Sequence, residues 1–177
     1  AFRMTVRHGL TLGEIVRLEA HRRQWGRLPK VLAVEGWRRS DLWPATGRPW
    51  IAPSPNMPSF QTALLYPGLC LLEATELSEG RGTTRPFELI GAPWIDGERL
   101  ATAMNARGLP GVHFRPIVFE PTFQKHARTP CGGCQIHVFD RQRFRPVETG
   151  VAALVECRKA DPTRFAWRQP PYEYEHH

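Results

Sequence analysis

Lysine is scarce in this chain. Of its 24 basic residues only Lys30, Lys125 and Lys159 are lysines, and the rest are arginines. No stretch approaches the roughly 18 consecutive apolar residues that a membrane-spanning helix requires, so no membrane span is expected. A secretory leader is missing too. The opening Ala1-Phe2-Arg3-Met4 reads as an entry into the middle of a longer chain, so that lack says nothing of compartment. Cysteine is confined to Cys70, Cys131, Cys134 and Cys157. Cys131 and Cys134 have the spacing of a metal or redox pair, but a tetrahedral zinc site wants a second pair at comparable spacing, and the other two cysteines are single and far apart. A redox pair normally opens a helix, whereas this one precedes a strand-like run. No metal and no cofactor is expected, and a local disulfide or two free thiols is the better reading. There are no internal repeats.

The chain does hold 177 residues, 41% of them hydrophobic and 23% charged, which is ordinary globular composition. That length supports one good core, or one domain and part of another. Seventeen prolines predict short elements joined by irregular connections. The net charge is 24 − 17 = +7, with a pI near 9.8. It suits an anionic partner such as nucleic acid, a cell-wall polymer or an acidic sugar. It equally suits scattered solvated arginines, because no long basic run exists. A nucleic-acid partner is not expected, since neither a recognised motif nor a basic–aromatic interleaving is present.

Thr11-Leu12-Gly13-Glu14 has the form of a capping box, and the apolar positions after it repeat at helical spacing until Gly26 and Pro29. Val31 to Val34 reads as a buried strand. Prolines 44, 49, 53, 55 and 58 form a rigid connection, and a domain boundary is placed there, dividing residues 1–51 from 52–177. Beyond it, Ser59 caps a short helix ended by Tyr66-Pro67-Gly68. Strands are expected over Leu69–Leu72, Phe87–Ile90, Val112–Phe119 and Gln135–Phe139, and helices over Glu98–Arg107, capped by Asp96, and Glu148–Lys159. The second part is therefore α+β with a small mixed sheet.

Between two of these strands lies "LSEGRGTTRPFE", Leu77 to Glu88. Its glycine spacing and lack of lysine exclude a phosphate-binding loop, and no nucleophile-elbow pattern surrounds Ser78. Carboxylates are better supplied: Glu73, Glu76, Glu79 and Glu88 fall within sixteen residues. Glycosidic cleavage needs an acid and usually a second carboxylate or other nucleophile across the sugar. The same residues also fit a polar turn closed by a Glu79–Arg81 or Glu88–Arg85 pair, and the residue chemistry alone leaves both readings open.

Residues 36–68, which include the "PSPNMP" run, and "LLEATELSEGRGTTRPFELIGAPWID" closely resemble the exo-β-N-acetylmuramidases of the NamZ type. The likeness continues through "LPGVHFRPIVFEPTFQKHA", "CGGCQIHVFD" and "PPYEYEHH", and so covers nearly the whole chain. The resemblance implies a Rossmann-like α/β domain followed by an α+β domain, with an active site between them that removes N-acetylmuramic acid from the non-reducing ends of peptidoglycan fragments. It implies a secreted or periplasmic enzyme. This chain then corresponds to the end of the first domain and most of the second, and the missing N-terminal domain, with its catalytic glutamate, completes the site. Carried over residue by residue, the catalytic tyrosine is Tyr66 in "LLYPG", with Tyr172 and Tyr174 as rivals. Arg81, then Arg85, is the expected partner of the lactyl carboxylate of muramic acid. Asn56, Glu73, Glu79, Thr83, Thr84 and His137 are the remaining substrate-binding candidates. Glu73-Ala74-Thr75-Glu76 departs from the usual Glu-Gly-Thr-Asn, adding a negative charge near an anionic substrate. The alternative to a glycosidase fragment is a non-catalytic module that binds muropeptides.

Overall fold

The computed structural model describes residues 9–169. It falls into two compact units, Ala1–Pro49 and Trp50–His177. In the first, helix α1 spans Leu12–Arg22. Thr11 Oγ1 accepts from Glu14 N, and the Glu14 carboxylate accepts from Thr11 N, so two of the helix's unpaired N-terminal amides are satisfied reciprocally. Val31–Val34 is not a strand. It runs as irregular chain, with Leu32 and Val34 exposed. The described residues of this unit contain no strand to pair with, and an apolar run without a ladder has no reason to form one. A 3-10 turn, Trp43–Thr46, follows.

The second unit is α+β. Helix α2, Phe60–Leu69, is followed by a 3-10 turn over Cys70–Ala74, then strand β1, Leu89–Ala92, and helix α3, Gly97–Ala106. Strands β2, Val112–Phe119, and β3, Cys131–Val138, precede helix α4, Pro146–Ala160. The side chains of Ser59 and Asp96 cap α2 and α3 by accepting the amides of Thr62 and Arg99. The expected strand at Leu69–Leu72 is instead helix end and 3-10 turn. Leu65, Leu69 and Leu72 are fully buried at helical spacing, so a single stripe faces the core. Tyr66-Pro67-Gly68 does not stop α2 either. A Cβ on Gly68 would stand 1.8 Å from the carbonyl oxygen of Pro146, and one on Gly150 would stand 2.2 Å from the carbonyl oxygen of Gly68. These glycines serve the close approach of α2 to α4.

The sheet has the order β1-β3-β2, and both pairings are antiparallel, so it is not mixed. Its register assigns each face. Ile90, Val112, Phe114, Cys134 and Ile136 join the helices' Leu65, Leu69, Leu100, Met104, Ala153 and Cys157 in the main core. The alternate residues point the other way. There Leu89, Phe119 and Cys131 form a small apolar cluster with Ile117, and His113, Arg115, Gln135 and His137 lie on the same face. Cys131 and Cys134 thus stand on opposite faces of β3, which rules out a disulfide between them; all four cysteines are free. Burial pushes the Cys131 thiol up to about 11 and, with the Glu98 charge adding to it, that of Cys134 up to about 12.

Candidate functional site

Leu77–Glu88 leaves the core beside β1, where Ser78 and Gly91 exchange backbone hydrogen bonds. Gly80 and Gly82 have φ of 82° and 81°. A side chain on Gly82 would meet the carbonyl oxygen of Phe123 at 2.6 Å. The bare backbone instead takes two hydrogen bonds there, since Thr122 N and Oγ1 both donate to Gly82 O at 2.8 Å. Thr83 Oγ1 closes the turn by donating to Gly80 O at 2.6 Å. Phe87 has φ of 61°, a strained value for a bulky residue. Its amide donates to Glu79 O, and its ring lies between Tyr66, edge-to-face with centroids 4.9 Å apart, and the Arg81 guanidinium, 5.2 Å from the ring centre.

The glutamates are committed to cations. Glu79, 1% exposed, accepts charge contact from Arg81 Nε at 3.1 Å and from Lys125 Nζ at 2.6 Å. The Lys125 contact brings opposite charges together without a well-directed hydrogen bond to Glu79 Oε2. Arg81 also pairs with Glu73. Lys125 Nζ donates to the carbonyls of Leu72, Thr75 and Leu77, and burial lowers its pKa despite the opposing pull of Glu79. Glu88, also buried, accepts from Ser59 and Thr62 hydroxyls through one oxygen and from Arg85 Nη1, at 3.0 Å, through the other. The Arg81 side chain, the first expected partner of a ligand carboxylate, is 11% exposed and paired with two carboxylates of the chain itself.

A cavity of about 770 Å³ opens on the sheet face away from the helices. Leu89, Ile117 and Phe119 supply apolar surface, with Phe123 beside them. Thr83, Thr84 and Arg85 come from the turn, and Arg115 and Gln135 from neighbouring positions of β2 and β3. Arg115 Nη2 donates to Gln135 Oε1 at 2.5 Å. Glu120 is the acidic residue among those that line the cavity.

The structure thus brings Thr83, Thr84 and Arg85 to one cavity, and places Glu73, Glu79 and Arg81 in an ion-pair network beside it. Tyr66, 37% exposed on α2, packs on Phe87 and is not one of the lining residues. Asn56 lies in the loop before α2, its amide donating to Ser54 Oγ at 3.3 Å. His137 is exposed on β3 directly across from His113. Tyr172 and Tyr174 lie outside the described residues. Sequence reasoning passed over Lys125, Arg115, Gln135 and Glu120. Arg115 and Gln135 had a signal, the alternation of polar with apolar residues along β2 and β3; Lys125 had none, because its partners are remote in sequence.

Comparison with known proteins bears on the whole chain. Residues 64–176 match the model of the C-terminal part of the exo-β-N-acetylmuramidase NamZ, and residues 1–61 match that of its N-terminal part. The peptidoglycan β-N-acetylmuramidase NamZ of Bacillus subtilis (strain 168) is 41% identical over 160 residues, which is 90% of this chain and 39% of that protein. A DUF1343 family protein of Bacteroides fragilis has a crystal structure similar at a TM-score of 0.80 with 32% identity, over 92% of this chain and 43% of the other. A second from the same organism shares the fold at a TM-score of 0.50 and 23% identity, over 89% and 50%. The chain spans well under two thirds of the length of these relatives. With both family models matched across its length, this chain belongs to the NamZ exo-β-N-acetylmuramidase family.

Proposed function

We propose that the chain supplies one wall of the substrate site of an exo-acting glycoside hydrolase that releases N-acetylmuramic acid from the non-reducing ends of peptidoglycan fragments. The observation that carries this reading is the donor inventory of the cavity. Arg85 and Arg115 are donor-only groups. Gln135 has its carbonyl oxygen taken by Arg115, so its amide N–H groups remain. Thr83 and Thr122 spend their hydroxyl protons on Gly80 and Gly82 carbonyls. Those two hydroxyls therefore add no donor, and it is the Arg85, Arg115 and Gln135 donors, set against the single acid Glu120 in the lining, that favour an acceptor-only group such as a carboxylate. Muramic acid differs from glucosamine by its lactyl carboxylate. The apolar cluster below suits the C–H face of the sugar ring and the lactyl methyl.

Arg85 and Arg115, rather than Arg81, are the residues assigned to that carboxylate. The Glu73–Arg81–Glu79–Lys125 network holds the turn that carries Arg85. Tyr66 is accessible for a role as nucleophile or as stabiliser of an oxocarbenium-like state. The partner carboxylic acid comes from the family's Rossmann-like N-terminal domain, and the substrate assigns the protein to a secreted or periplasmic location. The committed state of Glu73, Glu79 and Glu88 supports a chain that does not hydrolyse alone.

The test is release of muramic acid from a chromogenic muramide. The full-length protein is expected to turn it over and the 177-residue chain not to. Tyr66→Phe in the full-length protein is expected to lose turnover while keeping affinity for muramic acid. A full-length protein without release, or equal turnover by the chain alone, overturns the reading; an unchanged rate for Tyr66→Phe removes the role given to that residue.

A further inference from the structure

His113 and His137 face each other across β2 and β3, on the face that carries the cavity and one alternation along from Arg115 and Gln135. Both are exposed. Like charges placed directly opposite on a sheet oppose its pairing. Here two titratable rings are opposed, and Arg115 and Arg85 add positive charge that reaches His137. The carboxylate that bears on His137, Glu88, is already held by Ser59, Thr62 and Arg85. Of the other acids near these strands, Glu120 follows the far end of β2, and Asp140 lies two residues beyond β3, where its amide donates to the Gly111 carbonyl. Two facing imidazoles that continue the arginine-bearing face of the cavity are an unusual cross-strand pair for a sheet surface, and such departures mark candidate functional positions.

We propose that His113 and His137 form a second anionic subsite beside the cavity, which takes a further acidic group, a phosphate monoester or a carboxylate, on the sugar that the cavity holds. This rests on the reading of the cavity as the muramic acid site. Residues two apart on a strand are separated by about 7 Å, which sets the spacing of the second acid from the one at Arg115. Each imidazolium donates a charge-assisted hydrogen bond to it. Burial, followed by the Arg115, His113 and Arg85 charges, holds His137 below its ordinary pKa. A bound anion opposes that, so affinity for a doubly acidic ligand rises as pH falls.

The experiment measures binding to the full-length protein by calorimetry with N-acetylmuramic acid bearing a 6-O-acetyl, 6-O-phosphate or 6-O-succinyl group. The phosphate and succinyl arms separate the two sources of negative charge, and the acetyl ester is the neutral control. At least one acidic ester is expected to bind roughly tenfold tighter than the acetyl ester at pH 5.5, with the advantage shrinking by pH 8. In His113→Gln/His137→Gln the advantage of the acidic esters over the acetyl ester is expected to vanish. Acidic esters that bind no tighter than the neutral one, or an advantage that survives the double substitution, overturn the subsite and leave the cavity reading standing. Failure of all three esters to bind overturns both.

Discussion

Lys125→Met is the substitution that tests the loop architecture most directly. Methionine keeps most of the stem's length and removes the ammonium. The carbonyls of Leu72, Thr75 and Leu77 then lose a shared donor, and Glu79 keeps Arg81 but loses its second cation. Breaking a buried pair by removing one partner costs about 3–5 kcal/mol where the remaining charge is left uncompensated, and Glu79 keeps Arg81, so the low end of that range applies. An orphaned buried acceptor adds about 1–3 kcal/mol where water does not replace the donor. A loss of about 4 kcal/mol is expected, a large fraction of the roughly 5–15 kcal/mol of a typical domain. In a chain of this size it lowers Tm by roughly 8–16 °C. Urea unfolding followed by tryptophan fluorescence gives the free energy. A loss below about 1 kcal/mol refutes the account. So does strict additivity with Glu79→Gln, since a carboxylate left with one cation instead of two is expected to cost at least about 1 kcal/mol less to remove from the Lys125→Met chain than from the native chain.

The same site has a pH signature whose sign follows from Lys125. Its pKa is lowered in the folded chain, so the unfolded chain binds this proton more tightly. The site's contribution to stability therefore increases as pH rises from the lowered value towards the ordinary lysine value of 10.5. The unfavourable part is fully present below that window and gone above it. Lys125→Met is expected to lose this alkaline rise.

At the cavity, Arg115→Met in the full-length protein is expected to raise KM for a muramide at least tenfold, with a smaller change in kcat, as loss of ground-state binding does; steady-state kinetics checks it. Gly68→Ala is expected to destabilise the second unit by more than about 3 kcal/mol, because its Cβ would stand 1.8 Å from the backbone oxygen of Pro146, and urea unfolding measures it. All four thiols have a raised pKa, but Cys131, Cys134 and Cys157 are buried and Cys70 is half-buried, so a thiol reagent at pH 8 is expected to label Cys70 first and the other three only after denaturation.

Elements whose signals are local were readable from sequence. Thr11, Ser59 and Asp96 each cap the helix expected of them, because a cap depends on residues three positions apart. Strand β2 has its expected ends, Val112 and Phe119, its run being rich in β-branched and aromatic residues and following Gly108 to Gly111. Short apolar runs failed. Val31–Val34 and Leu69–Leu72 look alike as strings of leucine and valine, yet one is exposed chain and the other the end of a helix. What decides is the neighbour each one packs on: α4 for the second, and no strand for the first. Periodicity resolves Leu65, Leu69 and Leu72 only when the window extends back through Pro67, a residue that on local signals alone stops a helix.

The turn from Leu77 to Glu88 stayed open to two readings for a related reason. Glutamates and arginines concentrated in Leu77–Glu88 suggested groups aimed at a substrate, but their partners are mostly one another. The turn-closing pairs considered beside the active-site reading, Glu79–Arg81 and Glu88–Arg85, both form. These pairs do not exclude a site; they hold one in place. A buried ion pair gives little net stability against an apolar replacement, so stability is a poor reason for three carboxylates in this wall. Their geometric effect is larger. Glu88 joins Ser59 and Thr62 of the α2 cap to Arg85, and Lys125 joins the carbonyls of residues 72, 75 and 77 to Glu79. Both tie the turn at Gly80 and Gly82 to the scaffold on either side, while Phe87 is kept at a strained φ between Tyr66 and Arg81. Strain of that kind persists only where the surroundings over-determine the backbone. The ion pairs supply that determination, and the part of the turn they leave exposed, Thr84 and Arg85, is the part that reaches the cavity.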